Sequence, residues 1–453
     1  MLGLIAASLG TAANPTFVPK PCLDAQIGVR ATCGIVTVPE DRSRTSGRQI
    51  NLNLIIIRAA KPGKERQALF DLEGGPGLAD TKDAGFYLSD GAAYSTTRDV
   101  VLIDQRGTGE SNPLDCPEFD AADRSLEPMF PSAAVLSCRV RLSHRADLTR
   151  YTTEDAVADL DAVRKALGYS RIDLSALSYG TTLALRYIAV HPAHVRSAVL
   201  FSAVPPSAMP PRHHATAAQT ALDQMIADCG ADRACSTRYP RLRSDLSDAM
   251  RKLRSAGHID SLVVMERLRT KLYSPAGARE LPQMIHRLAG GDMSVFASTN
   301  EPKGFNYFDG VYLTITCSES LPWFDQNRAM VAARRTAFGD YRIVRQREAC
   351  ENWPRARVKR SFFTPVHSSV PVLFISGGRD PVTPAGWAEQ AAQSFTNSRH
   401  LVVPWAGHIV DGLSGLDTCF DPQIVRFLDA RDPKAVDERC LSEMMPPPFK
   451  PAE

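Results

Sequence analysis

From about residue 50 to residue 204 apolar runs alternate with amphipathic stretches, and few folds accept that order. "INLNLIIIRAA", "QALFDLEGGPG" and "DVVLIDQRGTGES" read as buried strands, the second ending in a glycine-rich loop and the third in a turn-rich one. "TTEDAVADLDAVRKALGY" then sets Val157, Leu160, Val163 and Leu167 at helical spacing; Thr152 or Thr153 can cap its start and Gly168 can end it. "RIDLSAL" is the next strand, "GTTLALRYIAVHP" the next helix and "VRSAVLFSAV" a further strand. Strands this continuously apolar, separated by helices, predict a mostly parallel sheet covered on both faces.

The alternation stops near residue 205 at the proline-rich "PPSAMPPRHH". Residues 205–369 read as mainly helical, as in "ATAAQTALDQMIADCG" and "DLSDAMRKLRSAG", and strand–helix order resumes at "VPVLFISGGRDPVTPAGWAEQAAQ" and "RHLVVPWAGHIV". The expected organisation is an α/β core in two parts, residues 14–204 and 370–453, with a helical cap (205–369) over its active face. His213 and His214 are neighbours in sequence and do not face one another on a helix, so a solvated helix start is expected there rather than a metal pair.

A net charge of +3 over 453 residues is too weak to imply nucleic acid or an anionic membrane. "MLGLIAASLGTAANP" resembles the apolar region and cleavage site of a secretory signal, so residues 1–13 are expected to be a signal remnant, cut after Ala13. That stretch is too short to span a bilayer, and no other approaches the ~20 apolar residues required. Ten cysteines fall as five sequence-local pairs: Cys22/Cys33, Cys116/Cys138, Cys229/Cys235, Cys317/Cys350 and Cys419/Cys440. No C-x-x-C occurs and no cysteine has a histidine at zinc-like spacing, so disulfides are expected rather than a metal site. Disulfides persist in oxidising compartments, so a soluble protein, secreted or periplasmic, is expected.

"DLSALSYGTTLAL" puts Ser178 between a strand and a helix, where a nucleophile elbow would expose its hydroxyl above the sheet. Residues two positions away must be small; Gly180 satisfies that, and Ala176 adds one methyl where the usual pattern has glycine. A serine hydroxyl needs a base, and the base needs an orienting carboxylate. His408 follows the strand of "LVVPWAGH" and Asp380 the strand of "VPVLFISGGRD", so all three candidates stand at strand C-termini on one edge of a parallel sheet. Asp411 is a spare carboxylate but lies after the histidine. For the oxyanion, the expected donors are the N–H of Tyr179 and an N–H from "EGGPG", with Gly75 first and Gly74 behind it. Asp104 and Arg106 of "DQRG" are expected to brace the loop beneath the site.

"GGPG", "DQRGTGES", "SYG", "GGRDPVTP" and "GH", in that order, resemble the proline-iminopeptidase and tripeptidyl-aminopeptidase branch of α/β-hydrolase serine peptidases. The resemblance runs from "CGIVTVPED" to the C-terminal cysteines. It implies an eight-stranded α/β-hydrolase core with a helical cap, release of residues from peptide N-termini, and Ser178, Asp380 and His408 as nucleophile, acid and base. Relatives of this branch hold the free α-amine with acidic cap residues, and Glu319 in "TITCSESLPWF" resembles the family's Cys-x-Asp segment. Glu73, before the GGPG loop, and Ala176 depart from the family pattern and leave the substrate class open. An exported aminopeptidase working through an acyl-enzyme is expected. A carboxylesterase with the same machinery and a non-catalytic binding protein on a hydrolase fold are the alternatives. This chemistry needs no cofactor, and the expected partner is a peptide or small ester.

Overall fold

The computed structural model describes residues 15–450 apart from 23–26, 28–29, 45, 121–125, 258 and 297–306. The expected signal remnant therefore lies outside the described residues. Among the described residues the apolar runs form nine strands: β1 (Phe17–Lys20), β2 (Ala31–Pro39), β3 (Gln49–Ile57), β4 (Ala68–Leu72), β5 (Asp99–Ile103), β6 (Ile172–Leu177), β7 (Val195–Phe201), β8 (Val372–Gly377) and β9 (Ser398–Val403). They make one sheet in the order β1–β2–β3–β5–β4–β6–β7–β8–β9. From β5 to β9 every neighbour is parallel, while β1, β2 and β3 pair antiparallel at one edge.

The sheet has one strand more than the eight expected, and the addition is β1. Its four residues FVPK carry no apolar alternation, and Pro19 suits only an edge strand. What holds it is contact: a Cβ on Gly34 of β2 would fall 2.4 Å from the Phe17 ring, so only glycine leaves room for that ring. The Cys22–Cys33 disulfide fastens the same corner. The other four nearest-neighbour cysteine pairs are also bridged.

Two apolar layers cover the sheet. Helices α1 (Thr153–Ala166) and α2 (Tyr179–Val190) bury Val157, Leu160, Val163, Leu183 and Ile188 against Phe70, Val101 and Leu174. Alternate strand residues, Leu69, Val100, Leu102 and Val199, face the other way and meet Ile424, Phe427 and Leu428 of the helix Asp421–Ala430. That two-residue alternation of buried side chains on both faces explains the unbroken apolar runs. Thr152 caps α1 by accepting the Asp155 N–H at 3.2 Å, and Gly168 follows its end at φ 75°.

Between β7 and β8 the described residues form helices and turns and no strand. Helices α3 (His214–Ala231) and α4 (Ser261–Lys271) share a core through Leu222, Met225 and Leu268. Phe449, near the C-terminal end of the described chain, packs into that core, so the last residues leave the sheet and lie on the helical segment. Helices α5 (Asp309–Ile315) and α6 (Tyr341–Glu351) pack elsewhere, against Leu114, Leu142 and Leu148 of the segment between β5 and α1. His214 opens α3 but is buried, contrary to the solvated position expected, because α3 turns its first residue inward.

Candidate active site

Ser178 is the hinge between β6 and α2, with φ 55° and ψ −123°, a conformation that side-chain-bearing residues seldom adopt. Its N–H donates to the Phe201 carbonyl at 3.0 Å and its carbonyl accepts from Thr181 at 2.9 Å, so neighbouring backbone fixes the turn. The two flanks of this elbow are unequal. A Cβ on Gly180 would lie 2.0 Å from the Leu72 carbonyl oxygen, so glycine is obligatory there. Ala176 lies within β6, where its methyl group is buried in the core.

The structure brings Ser178, His408 and Asp380 into one hydrogen-bonded line. His408 Nε2 is 2.9 Å from Ser178 Oγ, and its Nδ1 is 3.0 Å from Asp380 Oδ2. With Nδ1 carrying the proton toward the carboxylate, Nε2 is the acceptor that faces the serine hydroxyl. The His408 loop is pinned by Ser202 Oγ, which donates to the His408 carbonyl at 2.9 Å, and by Ile409, whose N–H donates to the Tyr273 carbonyl at 2.9 Å. The Tyr273 ring stands edge-on to the imidazole at 5.1 Å. Asp411 supplies its backbone carbonyl to Ala276.

Asp380 is buried, and its oxygens are well supplied with donors. Oδ1 accepts the N–H groups of Val382 and Thr383 at 2.7 and 2.9 Å, and Oδ2 accepts the Thr383 hydroxyl as well as His408. Burial alone would raise its pKa, but His408 and these hydrogen bonds hold it below the ordinary aspartate value. Thr383 escaped the sequence reading, although an aspartate three residues before a threonine in "DPVT" is a turn signal that could have exposed it.

The loop after β4 lies against the serine. A Cβ on Gly74 would sit 2.8 Å from Ser178 Cβ. The Gly74 N–H donates to Glu73 Oε2 at 3.1 Å. Gly75, at φ 108°, has the ring of Tyr307 3.2 Å from where a Cβ would stand. Tyr179 opens α2, where an N–H has no partner within the helix. Asp104 does brace this region, accepting from Thr81 (N–H 3.1 Å, hydroxyl 2.8 Å), Asn53 (2.8 Å) and Glu110 (3.0 Å). Arg106 grips Asp159 at 2.6 and 2.7 Å and the carbonyls of Glu40 and Arg150.

Glu319, the carboxylate expected to meet a free α-amine, is buried against the start of α1. It lies on a π-helical turn, Thr316–Ser320, beside the Cys317–Cys350 disulfide. One oxygen accepts the Thr153 N–H at 2.7 Å and the other the Thr153 hydroxyl, so the carboxylate caps the start of α1. Burial pushes its pKa up to about 7. A second carboxylate group, Asp71, Glu73 and Asp83, has oxygens within 4.8 Å of one another under the GGPG loop. Burial, and then the neighbouring carboxylates, raise these to about 7, 7 and 6.

The pattern of the alpha/beta hydrolase fold matches residues 73–410, well over half of the chain. The chain belongs to the alpha/beta hydrolase fold family. A tripeptidyl aminopeptidase of Streptomyces coelicolor is 26% identical to this hydrolase over 467 residues, covering 92% of this chain and 84% of that protein. The serine protease Hip1 of Mycobacterium tuberculosis is 24% identical over 475 residues, with coverage of 90% and 88%. A proline iminopeptidase of Neisseria gonorrhoeae is 31% identical over 130 residues, or 28% of this chain and 30% of that protein. Family and relatives together make the chain a serine hydrolase, the enzyme class its sequence predicts. No described helix is long and apolar enough to cross a membrane.

Proposed function

We propose that this hydrolase is an exported serine peptidase that releases residues from peptide N-termini through an acyl-enzyme on Ser178. The observation that carries it is the line from Ser178 Oγ through His408 to Asp380, at 2.9 and 3.0 Å. In this reading Ser178 attacks the scissile carbonyl while His408 Nε2 takes its proton. Asp380 holds the imidazole in the required tautomer and stabilises the imidazolium, and His408 then returns the proton to the leaving amine. The N–H groups of Tyr179 and Gly75 receive the oxyanion, the first aided by the α2 dipole. Water enters as the second nucleophile and the same three groups reverse their roles. The relatives named as a tripeptidyl aminopeptidase and a serine protease, each spanning nine-tenths of the chain, support peptides as substrates. Five disulfides support an oxidising compartment.

A carboxylesterase is the second reading, and one observation favours it: both oxygens of Glu319, the carboxylate expected to receive a free α-amine, are engaged by Thr153. Turnover of an aminoacyl arylamide and of its N-acetylated twin separates the two. Preference for the free amine, lost in Ser178→Ala, is the expected result. Equal turnover of both, or activity on simple esters alone, makes the protein an esterase.

A further inference from the structure

Next to Tyr273, whose ring stands against His408, the helical segment gathers a buried polar cluster whose charge is opposite to the one a free amine needs. Arg269 of α4 and Arg342 of α6 converge on a single carboxylate, Glu266. Arg269 reaches Glu266 Oε1 through Nε at 2.9 Å and Nη2 at 2.6 Å, and Arg342 reaches the same oxygen through Nη1. Two guanidiniums against one carboxylate leave an excess positive charge in a site where both arginine side chains are largely shielded from water. Against the cost of burial, the two arginines hold the Glu266 carboxyl well below the usual glutamate range, so it stays ionised and the excess stands.

This cluster connects to the reacting atoms through tyrosines. Arg269 donates to the Tyr273 hydroxyl at 3.0 Å, and the Tyr273 ring stands against His408. Arg342 donates to the Tyr312 hydroxyl at 3.1 Å, and Gln346 binds the same oxygen. Tyr307, the residue over Gly75, is 6.4 Å from the Tyr312 ring centre to centre and lies in the field of both arginines. Burial, and then the charges of Arg342 and Arg269, hold His214 at the start of α3 well below the usual histidine range.

The pocket also concentrates unsatisfied polar atoms. Of eight buried side-chain nitrogen and oxygen atoms without a partner among the described residues, four lie here: both ring nitrogens of His214, Nε of Arg342 and Oε1 of Gln346. Buried polar groups are almost always paired, so four such atoms around one surplus guanidinium leave hydrogen-bonding capacity for a bound group. A guanidinium fork matches a carboxylate in shape and charge and repels an ammonium group.

We propose that this pocket recognises a carboxylate on the substrate, held by Arg342 and Arg269 beside the bond that Ser178 attacks. The substrate class is an anionic peptide, its charge being either an acidic side chain next to the scissile bond or the free C-terminus of a short peptide. Arg342 and Arg269 are thus specificity-determining residues. This rests on Ser178 as the nucleophile, and the test separates the two claims.

Three peptides with one scissile bond are compared: a neutral one with glutamine and a C-terminal amide, one with glutamate and the amide, and one with glutamine and a free C-terminus. The wild type is expected to cleave one anionic peptide with a kcat/KM at least about tenfold above the neutral one, and the peptide that gains identifies the carboxylate's source. In Arg342→Gln that preference collapses toward unity. In Glu266→Gln, which removes the opposing charge, it widens; this second variant decides the matter if Arg342→Gln fails to fold. Labelling of Ser178 by a fluorophosphonate is read in every sample. A wild type that does not label overturns the Ser178 reading. A labelled wild type that cleaves all three peptides alike overturns the carboxylate pocket alone.

Discussion

Asp380 and Glu319 are both buried carboxylates, and each is bonded to the N–H and the hydroxyl of one threonine, Thr383 and Thr153 respectively. Their charge states diverge. Burial pushes each upward, yet Asp380 ends below the usual aspartate value while Glu319 rises to about 7. The difference lies in what else faces them. Asp380 has a second N–H, from Val382, and the imidazole of His408. Glu319 instead has Glu154 and Asp155 nearby, whose charges oppose its own. A carboxylate kept charged can stabilise an imidazolium during turnover; one left close to half-protonated at neutral pH serves as a cap.

The sharpest way to break this contrast is Asp380→Asn. It preserves shape but removes the charge and the acceptor for His408 Nδ1–H, and kcat should fall about 10⁴-fold with little loss of stability. Steady-state kinetics beside a thermal melt check it; a fall under tenfold would mean that another group orients His408. Glu319→Gln tests the other side through pH. A carboxyl raised from 4.5 to about 7 on folding contributes stability that is fully present below pH 4.5 and is lost as pH rises through 7. Its share is on the order of 3 kcal/mol, so urea unfolding at pH 5 and pH 8 should differ by that much less in Glu319→Gln than in the wild type. Asp71, Glu73 and Asp83 carry the same sign, so the variant retains part of the slope. The smallest effect is expected from the threonines. Thr383→Val and Thr153→Val each remove one hydroxyl donor at a cost of about 1 kcal/mol, but Thr383→Val should also slow turnover.

Where chemistry and chain order coincide, the site was legible. Ser178, Asp380 and His408 stand at the ends of β6, β8 and β9, and the apolar runs announced those strands. The short β1 was not legible, because a contact between Phe17 and Gly34, rather than any periodicity, holds it to the sheet. The bond from Glu319 to Thr153 was not legible, because proximity to Cys317 in sequence says nothing of a residue 166 positions away. Arg269, Arg342 and Glu266 were silent for a related reason. Charged residues on helices ordinarily face water, and only the meeting of α4 and α6 across Glu266 turns these inward.

The five disulfides join cysteines that are consecutive along the chain, with separations from 6 to 33 residues. Each cysteine's partner is thus the next or the previous one to emerge during synthesis. A chain oxidised in order of emergence arrives at the native set directly. Every bridge closes a loop of 33 residues or fewer, so none of them has to wait for the distant strands of the sheet to meet.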